Sequence, residues 1–112
     1  MIKSVNAAEV LDNTFNLPVI YIAGKVTGLP YKEVTAKFKI KQLELEAMDF
    51  FVLNPVDVIN DEDCNWQEAM RVSVMLLANA DYICLLPDWW DSDGAKLERE
   101  LAMRLGISSF EG

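Results

Sequence analysis

The sequence contains no histidine, and this absence removes the commonest metal ligand and the commonest general base. It has two cysteines, too few for a disulfide scaffold, and a buried thiol at Cys84 fits a reducing cytoplasm. No apolar run approaches the roughly 18 residues that span a bilayer, and the first residues lack the core of a signal peptide. We therefore expect a cytoplasmic protein with no membrane contact, no metal and no cofactor.

Basic residues are also scarce. Ten lysines and arginines stand against eighteen aspartates and glutamates, which gives a net charge of −8. This charge would repel a nucleic-acid backbone, so we expect no nucleic-acid partner. A length of 112 residues, 52% of them hydrophobic and 25% charged, is typical of one globular domain. What remains is a small acidic domain whose chemistry depends on carboxylates.

Strand and helix signals alternate along the chain. Short apolar runs predict strands at 18–24, 50–53, 81–87 and 107–110, and longer mixed segments predict helices at 34–48, 66–79 and 94–105. Residues 7–12 are consistent with a short helix or an arm, and 55–65 and 88–93 are predicted as loops. This alternation is typical of a parallel α/β sheet. We expect an N-terminal arm over 1–17 and a single α/β domain over 18–112.

Sheets of this kind bind ligands in the crevice at the carboxyl ends of their strands. Three loops are predicted to converge there, at residues 24–30, 54–65 and 88–93. We therefore look for functional residues in these loops and in the first turns of the helices that follow them.

Glu98 is the most informative residue in the third predicted helix. At roughly 100° per residue it falls inside the apolar arc, between Leu105 and Ala102. A carboxylate on the face that packs against a sheet is costly unless something stabilises it, and the first turns of a helix favour negative charge. We interpret Glu98 as a functional carboxylate. The alternative is that it lies at the rim of this face and caps local backbone amides.

The first loop carries Gly24, Lys25, Thr27 and Gly28. Glycines there let backbone amides approach a phosphate, and the lysine and threonine add a positive charge and a hydroxyl. The pattern is neither a Walker motif nor the dinucleotide fingerprint, so nucleoside triphosphates and NAD are not indicated. Turn geometry alone is the alternative interpretation.

In the third loop, Ser92 and Asp93 are predicted to cap the following helix. A calcium loop ending at Glu100 is excluded, because Trp89 would occupy the first ligand position. Trp89 and Trp90 either cover the core or form a wall for a planar ligand or a subunit contact.

Two further groups are expected to be structural. The lysines of the first predicted helix read as a solvated face: Lys32, Lys37, Lys39 and Lys41. The large residues of the second are expected in the core: Trp66, Met70, Met75, Leu76 and Leu77.

A series of short motifs runs through residues 18–108 in a distinctive order. They are Tyr21-Ile22-Ala23-Gly24, Thr27-Gly28, Asn54-Pro55, Trp66 with Met70-Arg71, Ala80-Asp81, and Trp89 followed by Ser92, Asp93, Gly94-Ala95 and Glu98. Together they resemble the nucleoside 2-deoxyribosyltransferase-like superfamily, in its small bacterial and phage branch. The resemblance implies a flavodoxin-like or Rossmann-like parallel sheet of about four strands, flanked by helices in a three-layer sandwich.

The resemblance also implies an N-glycosidic bond as the target. In that superfamily the nucleophilic glutamate lies four residues after a glycine and four before an alanine, as Glu98 does between Gly94 and Ala102. Glu98 would attack the anomeric carbon of a deoxyribose to form a glycosyl-enzyme, oriented by Tyr21. No metal or cofactor would take part.

Other positions are assigned to substrate binding by the same resemblance or by their place in the loops. The stretch from Gly24 to Gly28 would face the 5′-phosphate of a nucleotide. Ser73, eight residues before Asp81, stands where active relatives carry an aspartate that assists the departing base, and Lys25 replaces a usual proline. The predicted substrate-binding residues are Gly24, Lys25, Thr27, Gly28, Ser73, Asp91, Ser92, Asp93 and Gly94.

Three functional hypotheses follow. The first is a nucleoside or nucleotide N-glycosidase or deoxyribosyltransferase, in which Asp88 or Asp91 would replace the missing acid. The second is a module that holds a nucleotide without turnover, because a serine is not an acid at neutral pH. The third is an acidic protein-interaction domain that uses both loop tryptophans and residues 57–63. By resemblance, a homodimer or higher homo-oligomer is expected.

Overall fold

The computed structural model describes residues 5–111. Its helices are α1 (Ala7–Val10), α2 (Tyr31–Glu46), α3 (Pro55–Ile59), α4 (Trp66–Ala78) and α5 (Asp93–Arg104). Its strands are β1 (Val19–Ala23), β2 (Phe51–Leu53), β3 (Tyr82–Leu85) and β4 (Ser108–Ser109). A 3-10 turn covers Trp89–Asp91. In this part of the chain no helix is long and apolar enough to cross a membrane.

The four strands form one sheet in the order β2-β1-β3-β4, and all three pairings are parallel. Helices cover both faces, so the predicted three-layer flavodoxin-like or Rossmann-like fold is confirmed. From β1 the chain proceeds to β2 on one side and later to β3 on the other. A sheet whose strand order reverses in this way opens a crevice at the carboxyl ends of the two strands that flank the reversal. Here those strands are β1 and β3.

Side chains of β1 alternate between the two faces of the sheet, because successive strand residues point in opposite directions. Ile20 and Ile22 join one buried cluster with Phe38 of α2. Tyr21 and Ala23 join the other, which includes buried residues of α4 and α5. Both faces of β1 are therefore buried, as its continuous apolar run predicts.

The prediction of a solvated loop over 55–65 is wrong in its first half, where the structure has α3. Asn54 ends β2 and caps this helix, because its side-chain oxygen accepts hydrogen bonds from the amides of Val56 and Asp57 at 3.1 and 3.3 Å. Pro55 occupies the first helical position, where its missing N–H costs nothing. Pro55 and Val56 are buried, so an Asn-Pro pair that stops the strand also starts a helix.

The segment before β1 packs against the domain. α1 begins after Asn6, whose side chain accepts a hydrogen bond from the amide of Glu9. Val10 and Leu11 lie against the buried cluster that contains Tyr21. Residues 1–4 of the predicted arm and residue 112 of the predicted domain lie outside the described residues.

Candidate active site

A cleft of about 400 Å³ opens at the carboxyl ends of β1 and β3. Its walls come from the loop after β1, from α3 and the loop behind it, and from the first turns of α4 and α5. Predicted site residues that line it are Tyr21, Gly24, Thr27, Gly28, Ser73, Ser92, Gly94 and Glu98. The structure therefore brings predicted residues from three separate segments, 21–28, α4 and 92–98, to one cleft.

Glu98 lies on the second turn of α5 with only 5% of its surface exposed, so the inward orientation predicted from the helix periodicity is confirmed. The Tyr21 hydroxyl donates a short hydrogen bond to Glu98 Oε2. The alternative role, capping of local amides, belongs to Ser92, whose Oγ accepts a hydrogen bond from the Ala95 amide at 3.1 Å. Glu98 is thus free of a capping role and lines the cleft.

The protonation of this pair is set by its surroundings. Burial raises the pKa of Glu98 from 4.5 to about 7, and the hydrogen bond from Tyr21 acts in the opposite direction. Burial also raises the pKa of Tyr21 well above 10, and the nearby Glu98 charge raises it further. Tyr21 therefore remains a hydrogen-bond donor at neutral pH, while Glu98 can be ionised without extreme cost.

Ser73 of α4 completes a chain of polar groups across three elements. It is buried, and its hydroxyl lies near the Tyr21 phenol, where it lowers the pKa of that phenol against the larger effects of burial and charge. Ser73, Tyr21 and Glu98 come from α4, β1 and α5, so packing of both helices on the sheet positions the group.

The glycines of the cleft have two different roles, close packing at Gly24 and Gly94 and a positive φ at Gly28. A Cβ at Gly24 would lie 2.6 Å from Leu86 Cδ1 and 2.9 Å from its Cβ, so no larger residue fits there. Gly28 has φ +89°, a conformation that favours glycine. A Cβ at Gly94 would lie 3.2 Å from Met70 Sδ, so a larger residue there would require the methionine side chain to shift by a few tenths of an ångström.

Three predicted substrate-binding residues do not line the cleft. Lys25 Nζ and Asp91 Oδ2 pair with each other at 2.5 Å. Asp93 is exposed, and Lys96 Nζ lies 3.6 Å from its Oδ1. Asp91 is therefore not placed to act as an acid in the cleft, and substrate binding by these residues stays a prediction that the geometry does not favour.

Asp88 and Lys37 hold two loops together outside the cleft. Asp88 accepts a hydrogen bond from the Lys25 amide at 3.0 Å and one from Lys37 Nζ at 2.6 Å. Lys37 Nζ also donates to the Lys25 carbonyl at 2.6 Å. Burial raises the pKa of Asp88, but these hydrogen bonds lower it more, so its pKa is below the ordinary value. The prediction that Lys37 belongs to a solvated face is wrong, because it joins these loops.

Trp66 was expected in the core, and this prediction is wrong. It is the first residue of α4, it is 47% exposed, and it lines the cleft together with Met70. Leu76 and Leu77, about three turns after Trp66 on α4, are buried as predicted. Place within the helix distinguishes Trp66 from the two leucines. The first turn of a helix that follows the carboxyl end of a strand lies at the crevice, whereas later turns pack in the core.

Other lining residues were not expected from the sequence. Apolar and aromatic ones include Val26, Leu29, Tyr31, Phe38, Val56 and Ile59. Acidic ones are Asp61 and Glu62, from the loop after α3.

The two loop tryptophans differ from each other. Trp89 packs against the core cluster, and the Arg99 guanidinium lies 5.0 Å from the centre of its ring. Trp90 is 65% exposed. Neither lines the cleft, so the aromatic wall of the site comes from other residues.

A family model described as a domain of unknown function, DUF4406, matches residues 18–109. The chain belongs to the DUF4406 family. Every cleft residue named above lies within the matched segment, so the cleft is a feature of the DUF4406 domain and not of the segment before it. No curated protein matches the chain.

Proposed function

We propose that this DUF4406 protein is an N-glycosidase or 2-deoxyribosyltransferase-like enzyme that acts on nucleosides or nucleotides, with Glu98 as its nucleophile. One observation carries the proposal. A carboxylate that is 5% exposed borders a cleft of about 400 Å³, and among the described residues a single tyrosine hydroxyl donates a hydrogen bond to it. Buried carboxylates are normally paired with a cation or with several donors, so this one is poised for chemistry.

The arrangement fits a displacement at an anomeric carbon. Tyr21 donates to Oε2 of Glu98, which fixes the carboxylate and leaves Oε1 to form the new bond. Attack on C1′ breaks the glycosidic bond, and the base departs with its electron pair. The resulting glycosyl ester is resolved by water, which gives hydrolysis, or by a second base, which gives transfer.

The shape and walls of the cleft support a ligand of this class. Its volume lies in the usual range of small-molecule sites, roughly 300–1,000 Å³. Tyr31 and Trp66 offer aromatic surface, and Ser73 and Thr27 offer hydroxyls. A relation to the nucleoside 2-deoxyribosyltransferase-like superfamily is part of this proposal. The burial of Glu98 and Ala102 on one face of α5 supports it, because both belong to the spacing that carries the resemblance.

The direct test is release of base. Purified protein is incubated with a panel of nucleosides, deoxynucleosides and their 5′-monophosphates, and free base is measured by chromatography. We expect release that falls by at least about 10³-fold in Glu98→Ala, because the nucleophile is lost. Glu100→Gln is the matched control, since Glu100 is exposed on the same helix and pairs with Arg104. No release from any substrate, or equal release by Glu98→Ala, rejects the proposal.

A second function, ligand binding without turnover, is favoured by Ser73. Its hydroxyl lies beside Tyr21 but cannot serve as a general acid, and general acid–base help contributes about 10²–10⁴-fold. Under this hypothesis nucleosides or nucleotides raise the melting temperature of the protein although no base is released. Absence of any thermal shift or calorimetric heat across the panel contradicts it.

A further inference from the structure

The charged side chains that line the cleft all have one sign. They are Asp61, Glu62 and Glu98, and among the described residues no lysine or arginine lines it. Lys25, which is the basic residue of the loop after β1, pairs with Asp91 instead. The cleft therefore offers no side-chain cation to pair with a phosphate, and its field favours a positively charged ligand.

Two aromatic residues share the cleft with these carboxylates. Trp66 and Tyr31 both line it, and Trp66 is only half-buried. Burial raises the pKa of Tyr31, and the charges of Glu62 and Asp61, which line the same cleft, raise it further. Aromatic faces beside carboxylates form the environment in which proteins bind organic cations.

At the inner end of the cleft the described residues offer no acid besides Glu98, which must be ionised to act as the nucleophile. The side chains that interact with Glu98 and with each other there are Tyr21 and Ser73. A phenol that burial and a neighbouring carboxylate both keep protonated is a poor acid, and a serine hydroxyl is a poorer one. A base that must leave as an anion would receive little help at this site. A base that leaves as a neutral molecule needs none.

We propose that the substrate of this cleft is a nucleoside whose base already carries a positive charge, such as a pyridinium or an N7-alkylated purinium N-glycoside. The inference rests on the proposed function and names its substrate class. The cation is attracted by Asp61 and Glu62 at the mouth, stacks on Trp66 or Tyr31, and places its C1′ next to Glu98. The positive charge also favours the ionised form of the nucleophile before the reaction begins.

The chemical step is balanced without a general acid. An oxygen of Glu98 forms a bond to C1′ while the bond from C1′ to the ring nitrogen breaks. The electron pair of that bond goes to the nitrogen, so the cationic base becomes neutral and the carboxylate charge is consumed in the ester. Water then cleaves the ester, and one proton is released to solvent for each cationic nucleoside hydrolysed. A neutral nucleoside hydrolysed to neutral base and sugar releases none.

The experiment compares cationic and neutral ribosides with the full-length protein. Nicotinamide riboside and 7-methylguanosine are the cationic probes, and uridine and guanosine are the neutral ones. Each value of kcat/KM is divided by the spontaneous hydrolysis rate in the same buffer, because cationic nucleosides are intrinsically more labile. We expect the corrected values to be at least about tenfold higher for the cationic probes. A pH-stat should record one proton per base released from nicotinamide riboside, whose positive charge does not titrate near neutral pH.

Charge-neutral variants test the carboxylates at the mouth. The double variant Asp61→Asn, Glu62→Gln should lower the corrected kcat/KM for cationic probes by about three- to tenfold, as expected for partly exposed charges. It should change the values for neutral probes by less than about twofold. Asp63→Asn is the matched control, because Asp63 is exposed in the same loop and does not line the cleft. All three substituted residues lie in the loop after α3. Circular dichroism verifies that each variant is folded.

Each outcome has a distinct meaning. Equal or higher corrected values for uridine or guanosine overturn the inference and leave the proposed N-glycosidase intact. The same holds if the double variant affects cationic and neutral probes alike. Absence of base release from every probe and from the wider panel rejects the proposed function, and the inference is rejected with it.

Discussion

Glu98 is buried in the folded protein, and the free-energy cost of this burial depends on pH. Burial raises its pKa from 4.5 to about 7, so between these values the folded protein holds a proton that the unfolded chain releases. Protonation at this residue therefore stabilises the fold fully below about pH 4.5, and this stabilisation is lost as the pH rises through about 7. Above that pH Glu98 is a buried charge, and among the described residues its hydrogen-bond donor is the Tyr21 hydroxyl.

Glu98→Gln should remove this cost, because the amide is neutral and of similar shape. We expect the variant to be more stable than the wild type at pH 8 by up to about 3 kcal/mol, and nearly equal to it at pH 4.5. Urea denaturation of both proteins at the two pH values measures the difference, and subtraction cancels the other titrating groups. Parallel pH profiles for the two proteins would show that Glu98 has no raised pKa.

Tyr21 acts on the reaction through Glu98. Tyr21→Phe removes a hydrogen bond that lowers the pKa of Glu98, so the rise of kcat/KM with pH should move to higher pH than about 7. The rate at pH 7 should fall by about 10- to 100-fold, while the fold is kept because the ring remains. A pH profile of base release measures both effects. Tyr82→Phe is the control, since Tyr82 packs against Phe50 and Phe110 away from the cleft, and an identical profile for the two variants contradicts the role of Tyr21.

At the level of elements, α2 is joined to two loops by one lysine. Lys37 donates to the Lys25 carbonyl and to Asp88, whereas Lys39 lies exposed, with its ammonium 3.5 Å from Asp57. Lys37→Met leaves both acceptors without this donor and should lower the free energy of unfolding by about 1–2 kcal/mol. Lys39→Met should change it by less than about 0.5 kcal/mol. Chemical denaturation measures the free energy of unfolding of both variants. Equal losses for the two would mean that Lys37 does not hold the loops together.

The strands and main helices could be predicted from sequence, because their signals are local. The run from Val19 to Ala23 is apolar and β-branched, and the structure places β1 within one residue of each predicted end. α3 was missed because Asp61 and its acidic neighbours suggested solvent, although Asn54-Pro55 is also a helix start. α2 begins at Tyr31, three residues earlier than predicted, because the Pro30 carbonyl accepts hydrogen bonds from the first turn.

Part of the candidate site could be predicted from the sequence, and part could not. Glu98 could be found because helical periodicity is a property of a single element. The rest required knowledge of where separate elements meet. Trp66 and Asp61 reach the cleft only because α3 and α4 pack beside the loop after β1. The ion pair between Lys25 and Asp91 joins two loops that are far apart in the chain, and no local sequence pattern predicts it.

At the scale of the whole molecule, we expect self-association. Large apolar side chains are exposed on three elements: Ile40 and Leu43 on α2, Trp90 in the 3-10 turn and Met103 on α5. Exposed apolar surface is costly in an isolated protein, and a contact between copies would cover part of it. Light scattering at micromolar concentration should give at least a dimer. The mass of a single chain, 12.7 kDa, would contradict this expectation.

The central strand also has a consequence for how this protein can change over time. The ring of Tyr21 packs in the hydrophobic core, and its hydroxyl hydrogen-bonds to Glu98. A shift of β1 by one position would put Ile22 in its stead and turn every neighbour to the opposite face. Loss of the ring at this place would therefore damage the core and the candidate site together, even in a protein that no longer uses the hydroxyl.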